Sequence, residues 1–461
     1  MAAAAAAAAA AAVTVGGLDA RVAAALPAGV RLEDLRGVRF LDVADVTFET
    51  DESGRPREIG RSASGTVFAG TYCGDAAAIK QVFPVTGVDV NAWLKEVQLQ
   101  YHIRVEGMLL VHGVLLDIGG AGELLYYAVM QRVPGSMESL VLTPGGALAG
   151  VDIRRRIRWL RQPATFLASL HARKTIHGDV KPANIMLSSV DEAEAAVRVA
   201  GFGAALVRSP DAGILTTHRG ERGSMVYMDP VLFDGGTMTR ASDTYSWAIT
   251  AWQVLTGAVP HAAELAAAGM TSEALGIEEI HRHVRGATGQ RPPVAALAER
   301  GVPGAVIDVI QRCWAADPAS RPPMAEVTAT LTAALERDGA VAAVQAAAAR
   351  DQSGGVEVAR AAVAALADLA ATADARAALL ADGAAAALLA AARAHAGDVM
   401  VVRSVVITLT SLATGGGDAA AAALVRDGAA AAVLTAAAAH AGDEEVAAAA
   451  VAALTALAAA A

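Results

Sequence analysis

The sequence predicts an α+β fold that runs on into an all-α repeat segment. Residues 40 to 135 alternate β-branched and aromatic residues between glycines, as in VTFET, TVFAGTY and LLYYAVM, which is the signature of strands. From about 150 to 336, apolar residues recur at helical spacing. All five tryptophans (93, 159, 247, 252 and 314) lie before residue 337, where composition shifts and a repeat begins. The 461 residues suffice for two or three domains with a full core.

Taken in order, residues 1–39 read as a low-complexity, disordered tail. The alanine tract at 2–12 lacks the basic start and leucine-grade apolar centre of a secretory signal. Arg21, with no acid before Asp19, leaves organelle targeting open, although the tract has no serine. In the strand-rich part, the spacing predicts one helix over Asn91–Arg104 with Trp93, Leu94, Val97 and Tyr101 on one face. After 337, Arg337-Asp338-Gly339 recurs as Ala381-Asp382-Gly383 and Arg426-Asp427-Gly428, and His395-Ala396-Gly397-Asp398 returns as His440-Ala441-Gly442-Asp443. Three units with Gly-Asp helix breaks and a period in the forties resemble armadillo or HEAT repeats, which present a surface for a protein partner. The acidic trio Asp443-Glu444-Glu445 reads as a helix start.

Charge and composition exclude several classes. Thirty-seven basic against 47 acidic side chains give a net charge of −10, which argues against nucleic acid as a partner. Two cysteines, Cys73 and Cys313, cannot form a disulfide framework, so a reducing, cytoplasmic compartment is expected. The hydropathy comes from alanine, and the uncharged run Val446–Ala461 is too short and weak for a membrane span. No Cys/His spacing suggests zinc, and His102, His112 and His261 read as surface or core residues.

The chemistry begins at IGRSASGTVFAGTYCGDAAAIK. Gly60, Ser62 and Gly65 make a loop of small residues followed by Val67, with Lys80 on the next strand. Such a loop lets backbone N–H groups approach phosphates, and a lysine pairs with them. Sixteen residues on, Glu96 stands on the predicted helix where it could hold that lysine. Then follow HGDVKPANIML from His177, AGFGA around Phe202, GSMVYMDPVLF, SDTYSWAITAWQVLTGAVP and CWAADPASRPPM.

In order and spacing, these motifs resemble the eukaryotic protein kinase domain, in its tyrosine-kinase-like serine/threonine group, over about 300 residues. The resemblance implies a bilobal fold over 40–336, with an N-lobe to about 133 and a C-lobe over 134–336, followed by the armadillo/HEAT-like solenoid at 337–461. It also implies ATP and magnesium. Lys80 and Glu96 match the phosphate-anchoring ion pair, Met130 the residue guarding the pocket, and Gln131 to Val133 the backbone facing adenine. Asp179 matches the catalytic aspartate, Lys181 the lysine that steadies the transferred phosphate, and Asn184 a magnesium ligand. Lys181-Pro182 is the serine/threonine form. Asp243 resembles the aspartate that ties the catalytic loop to a central helix. Only four lysines stand among the 37 basic residues, yet two of them occupy Lys80 and Lys181, where arginine's fork does not substitute.

Several residues depart from the family. Gly201 stands where the metal-binding aspartate of the DFG motif belongs, and none of Val197 to Leu206 is acidic. Phosphotransfer is therefore expected to be weak or unusual; the alternative is a pseudokinase scaffold working through its repeats. Gly178 replaces the arginine that would read a phosphate on Thr216, Thr217 or Ser224. Val231 replaces a glutamate, leaving Arg321 to find a partner in Asp229 or water. Gln100 stands at an apolar position of the internal spine, and Pro163 at a cost of roughly 3 kcal/mol inside an expected helix.

Overall fold

The structure, a computed structural model, describes residues 39–62, 65–82, 90–120, 123–191, 195–202, 206–207, 226–261, 291–349, 352–415 and 417–459. Residues 1–38 of the expected tail and Thr216, Thr217 and Ser224 lie outside them, as do the side chains of Ser62 and Glu96. The described chain forms two compact units. One comprises the residues up to Pro293 with Ile310–Thr328, the other Val294–Val309 with Ala329–Ala461.

In the first unit, strands β1 (Val46–Phe48), β2 (Glu58–Ser62), β3 (Gly65–Tyr72), β4 (Asp75–Val82), β5 (Val111–Ile118) and β6 (Leu124–Gln131) form an antiparallel sheet. Its order is β1-β3-β4-β6-β5, with β2 paired to β3. The period-2 pattern puts Val114, Leu116, Tyr126 and Ala128 on one face with Val97 of helix α1 (Val90–Ile103), which agrees with the predicted helix to one residue at each end. Ile79, Leu115, Tyr127 and Val129 fill the opposite face. Gly65 has to be glycine, because a Cβ there would stand 1.9 Å from the Gln81 carbonyl oxygen.

After β7 (Gly135–Ser136) comes helix α2 (Ile153–Ala172), which Asp152 caps by accepting from the Arg155 N–H. Pro163 does not break it. All 20 residues remain helical, and Pro163 is buried in the face that also carries Trp159, Leu160, Phe166 and Leu167. Tertiary packing holds the helix through the missing N–H, so the loop beyond it keeps its place. Short strands β8 (Thr175–Ile176), β9 (Ile185–Leu187), β10 (Val197–Val199) and β11 (Leu206–Val207) then precede helix α3 (Arg240–Thr256). From Ser242 to Thr256 every residue of α3 is buried.

Helices α4 (Ala295–Glu299) and α5 (Gly304–Cys313) precede α6 (Met324–Ala348) and α7 (Gln352–Leu369). Two three-helix units then follow in register: α8 (Ala373–Ala381), α9 (Ala384–Ala394) and α10 (Val399–Gly415), then α11 (Gly417–Arg426), α12 (Ala429–Ala439) and α13 (Glu444–Ala458). Gly383 and Gly428, both left-handed at φ +85° and +88°, break the chain between the first and second helices of each unit. The first Asp-Gly anchor behaves differently, since Gly339 is absorbed inside α6. The repeated histidines prove structural: His395 Nε2 donates to the Ala347 carbonyl and His440 Nε2 to the Ala396 carbonyl. Asp443 caps α13 with Glu444 and Glu445 in its first turn, as expected. The alanine-rich core is stiffened by Val402, Val405, Leu409 and Leu412 of α10. Position for position, the last unit is barer. Leu389 and Val406 are 2% exposed, whereas their counterparts 45 residues on, Leu434 and Val451, are 56% and 66% exposed.

Candidate active site

The strand register brings together residues expected to hold a nucleotide. Val67 lies opposite Lys80, Lys80 opposite Ala128, and Ala78 opposite Met130. Residues directly opposed or two apart share a sheet face, so Val67, Lys80 and Met130 share one. Of the backbone expected to face adenine, the Gln131 N–H is already used, donating to Leu110 O at 2.8 Å. Val133 and the Gln131 carbonyl remain as the expected contacts. Glu96 lies on α1, but its side chain is outside the described residues. Gln100 is half-buried on the same helix.

The other half follows α2. β7, just past Val133, pairs with β9, just past Asn184, as Ser136 opposite Met186. The Val199 N–H donates to Gly107 O and the Leu109 N–H to Val199 O, fixing the segment before Gly201. Asp243, 1% exposed in the first turn of α3, holds the loop from beneath. Its Oδ2 lies 2.8 Å from His171 Nε2 and accepts from the His177 N–H at 2.8 Å, while Oδ1 accepts from the Gly178 N–H at 2.8 Å. His177 is fully buried. Its Nε2 donates to the Ala200 carbonyl at 3.0 Å and its Nδ1 accepts from the Asp179 N–H at 3.2 Å, which fixes the tautomer. Phe202 packs on the rings of His177 (4.9 Å) and Phe166 (6.1 Å), so its packing survives the change at its neighbour.

On this support the charged groups converge. Asp179 Oδ2 accepts from Asn184 Nδ2 at 2.8 Å and from Lys181 Nζ at 2.9 Å. Asn184 Nδ2 also donates to the Asp179 carbonyl at 2.7 Å. The Asp179 side chain is 26% exposed, so it is open to solvent. Gly201 stands beside this cluster at φ +83°. It leaves no gap: a Cβ there would lie 2.4 Å from the Asn184 amide carbon and nitrogen.

A family model described as protein tyrosine and serine/threonine kinase matches residues 55–331, more than half of the chain. The chain belongs to this family. Mitogen-activated protein kinase kinase kinase 7 of Drosophila melanogaster is 24% identical over 288 residues, which cover 62% of this chain and 37% of the relative. Serine/threonine-protein kinase mos of Patiria pectinifera is 27% identical over 288 residues, covering 59% and 72%. Megakaryocyte-associated tyrosine-protein kinase of Mus musculus is 25% identical over 284 residues, covering 61% and 49%. The chain therefore spans well under two thirds of the fly relative's length.

In this kinase domain, sequence reasoning passed over His171 and His177. Their signal was proximity to Asp179 in sequence, with burial deciding their role. Arg321 does find a partner: its Nη1 and Nη2 donate to Asp229 Oδ2 and Oδ1 at 2.7 and 3.0 Å. Magnesium, in contrast, does not fit the residues present. It requires oxygens in near-octahedral array, usually with carboxylates. Gly201 offers no donor, none of residues 195–202 is acidic, and Asp179 Oδ2 is taken by Asn184 and Lys181. Among the described residues, no group of three or more His, Cys, Asp or Glu could hold a metal. No single helix among them is long and apolar enough to cross a membrane.

Burial pushes the His177 imidazole below its ordinary pKa, against an opposing effect of Asp243. The folded kinase domain thus keeps His177 neutral where the unfolded chain binds a proton. Its contribution is whole above the unfolded value of about 6.5 and is lost as pH falls below it. Melting curves should show stability falling from pH 7.5 to 5.5. The variant His177→Gln should flatten that slope, and an unchanged slope would refute the assignment.

Proposed function

We propose that this kinase domain binds ATP and transfers its γ-phosphate to serine or threonine hydroxyls of proteins, but weakly. The assembled Asp179–Lys181–Asn184 cluster, pinned by Asp243, supports this reading, as do Lys181-Pro182 and the serine/threonine kinases among the relatives. Asp179 would take the hydroxyl proton as the new O–P bond forms and ADP departs. Lys181 would turn from Asp179 toward the transferring phosphate, and Lys80 would hold the phosphates behind it. Charge on the transferring group is poorly neutralised without a carboxylate-held metal at 201, so the rate is low.

The test is transfer of radiolabelled phosphate from ATP to a mixed protein substrate, with magnesium and with manganese. Wild type should transfer slowly, and Asp179→Asn should lower the rate by about 100-fold or more. Transfer that persists in Asp179→Asn would overturn the role given to Asp179. A silent wild type would favour the second reading, a pseudokinase whose armadillo/HEAT-like repeats bind a protein partner. The Asn184 amide in the space beside Gly201 is the observation that favours it.

A further inference from the structure

The Asn184 amide stands where a side chain at 201 would begin, and both of its observed bonds go to Asp179 rather than outward. The Asp179 carboxylate is in turn compensated by Lys181 Nζ at 2.9 Å. The pair is neutral overall, so it offers a divalent cation little net attraction. The side-chain oxygens left over, Asp179 Oδ1 and Asn184 Oδ1, stand beside the Lys181 ammonium, which suits phosphate oxygens and opposes a cation.

We infer that this site takes a nucleoside triphosphate without a divalent cation, its phosphates met by Lys181 and Lys80. This rests on the ATP-binding reading above. It goes beyond that reading in making the affinity indifferent to magnesium. A conventional site gains affinity from the metal because a carboxylate and an amide oxygen grip it against the phosphates. Here the carboxylate is absent and its room is filled. Magnesium ATP would have to shed metal-bound water for no protein ligand in return.

The test is direct binding of ATP to the full chain by calorimetry, in magnesium and in EDTA. The two dissociation constants should agree within about twofold, less than 0.5 kcal/mol. Binding about tenfold or more tighter in magnesium overturns the inference while leaving the ATP reading standing. Binding in neither condition overturns both. A second arm uses the double variant Gly201→Asp/Asn184→Ala, which removes the amide lying 2.4 Å from the new Cβ and supplies a carboxylate. Magnesium should tighten its ATP binding by about fivefold or more. If the double variant stays as indifferent as wild type, position 201 is not the cause and the inference fails.

Discussion

Asp243→Ala is expected to disable the loop that carries Asp179 and to destabilise the domain around it. The carboxylate is 1% exposed and accepts two loop N–H groups while meeting His171 Nε2. Removing it leaves the His177 and Gly178 N–H groups buried without an acceptor. The buried penalty is about 3–5 kcal/mol, the range for breaking a buried, charge-assisted cluster. For a domain of this size, that lowers the melting temperature on the order of 10 °C. The functional loss should be larger than the stability loss. The loop's peptide units at His177 and Gly178 set the direction of Asp179, and an ångström of misplacement can cost about 100-fold in rate. Asp243→Asn keeps one carbonyl acceptor and should fall between the two. Differential scanning fluorimetry beside the phosphotransfer assay checks both effects. An Asp243→Ala protein that melts like wild type would show that these bonds contribute nothing.

Much of this arrangement was legible because it is carried by local pattern. Alternating residues placed the strands of the sheet, helical spacing placed α1 within a residue at each end, and motif order placed Asp179, Lys181, Asn184 and Asp243 in one loop-and-helix system. Other features depend on side chains meeting over long sequence separations, which no periodicity encodes. Asp229 and Arg321 are 92 residues apart, and Asp229 was only one candidate partner until geometry decided. Gly201 read as a missing ligand, yet the physical fact is that Asn184 occupies its side-chain space. Pro163 read as a cost inside the helix because propensity penalises it, while the packing of Trp159, Phe166 and Leu167 carries the helix through. Asp-Gly signals a turn at Gly383 and Gly428 but sits inside α6 at Gly339, where no left-handed residue is needed.

Asp229→Ala should cost about as much as losing Asp243, for a different reason. Arg321 is 7% exposed and all three guanidinium nitrogens are engaged: Nη1 and Nη2 on Asp229, Nη1 also on the Ala241 carbonyl, and Nε on the Ala315 carbonyl. The Tyr245 ring lies 5.1 Å beneath it. Deleting the carboxylate strands a buried cation, a loss of about 3–5 kcal/mol. Arg321→Ala strands the anion and should lose a similar amount. The pair itself is worth much less than either loss suggests, because both charges had to be desolvated to form it. The double variant Asp229→Ala/Arg321→Met should therefore be more stable than the sum of the single losses by about 2 kcal/mol or more, read from urea midpoints in a double-mutant cycle. Val231→Glu makes the complementary case. The family places its acid there, but Asp229 already presents both oxygens to Arg321. A second carboxylate would meet a cation already compensated, so Val231→Glu should give no gain in stability. If it stabilises the protein while Asp229→Ala is silent, Asp229 is not the working partner and the ion pair has no part in holding the segment at Asp229 to the end of the domain.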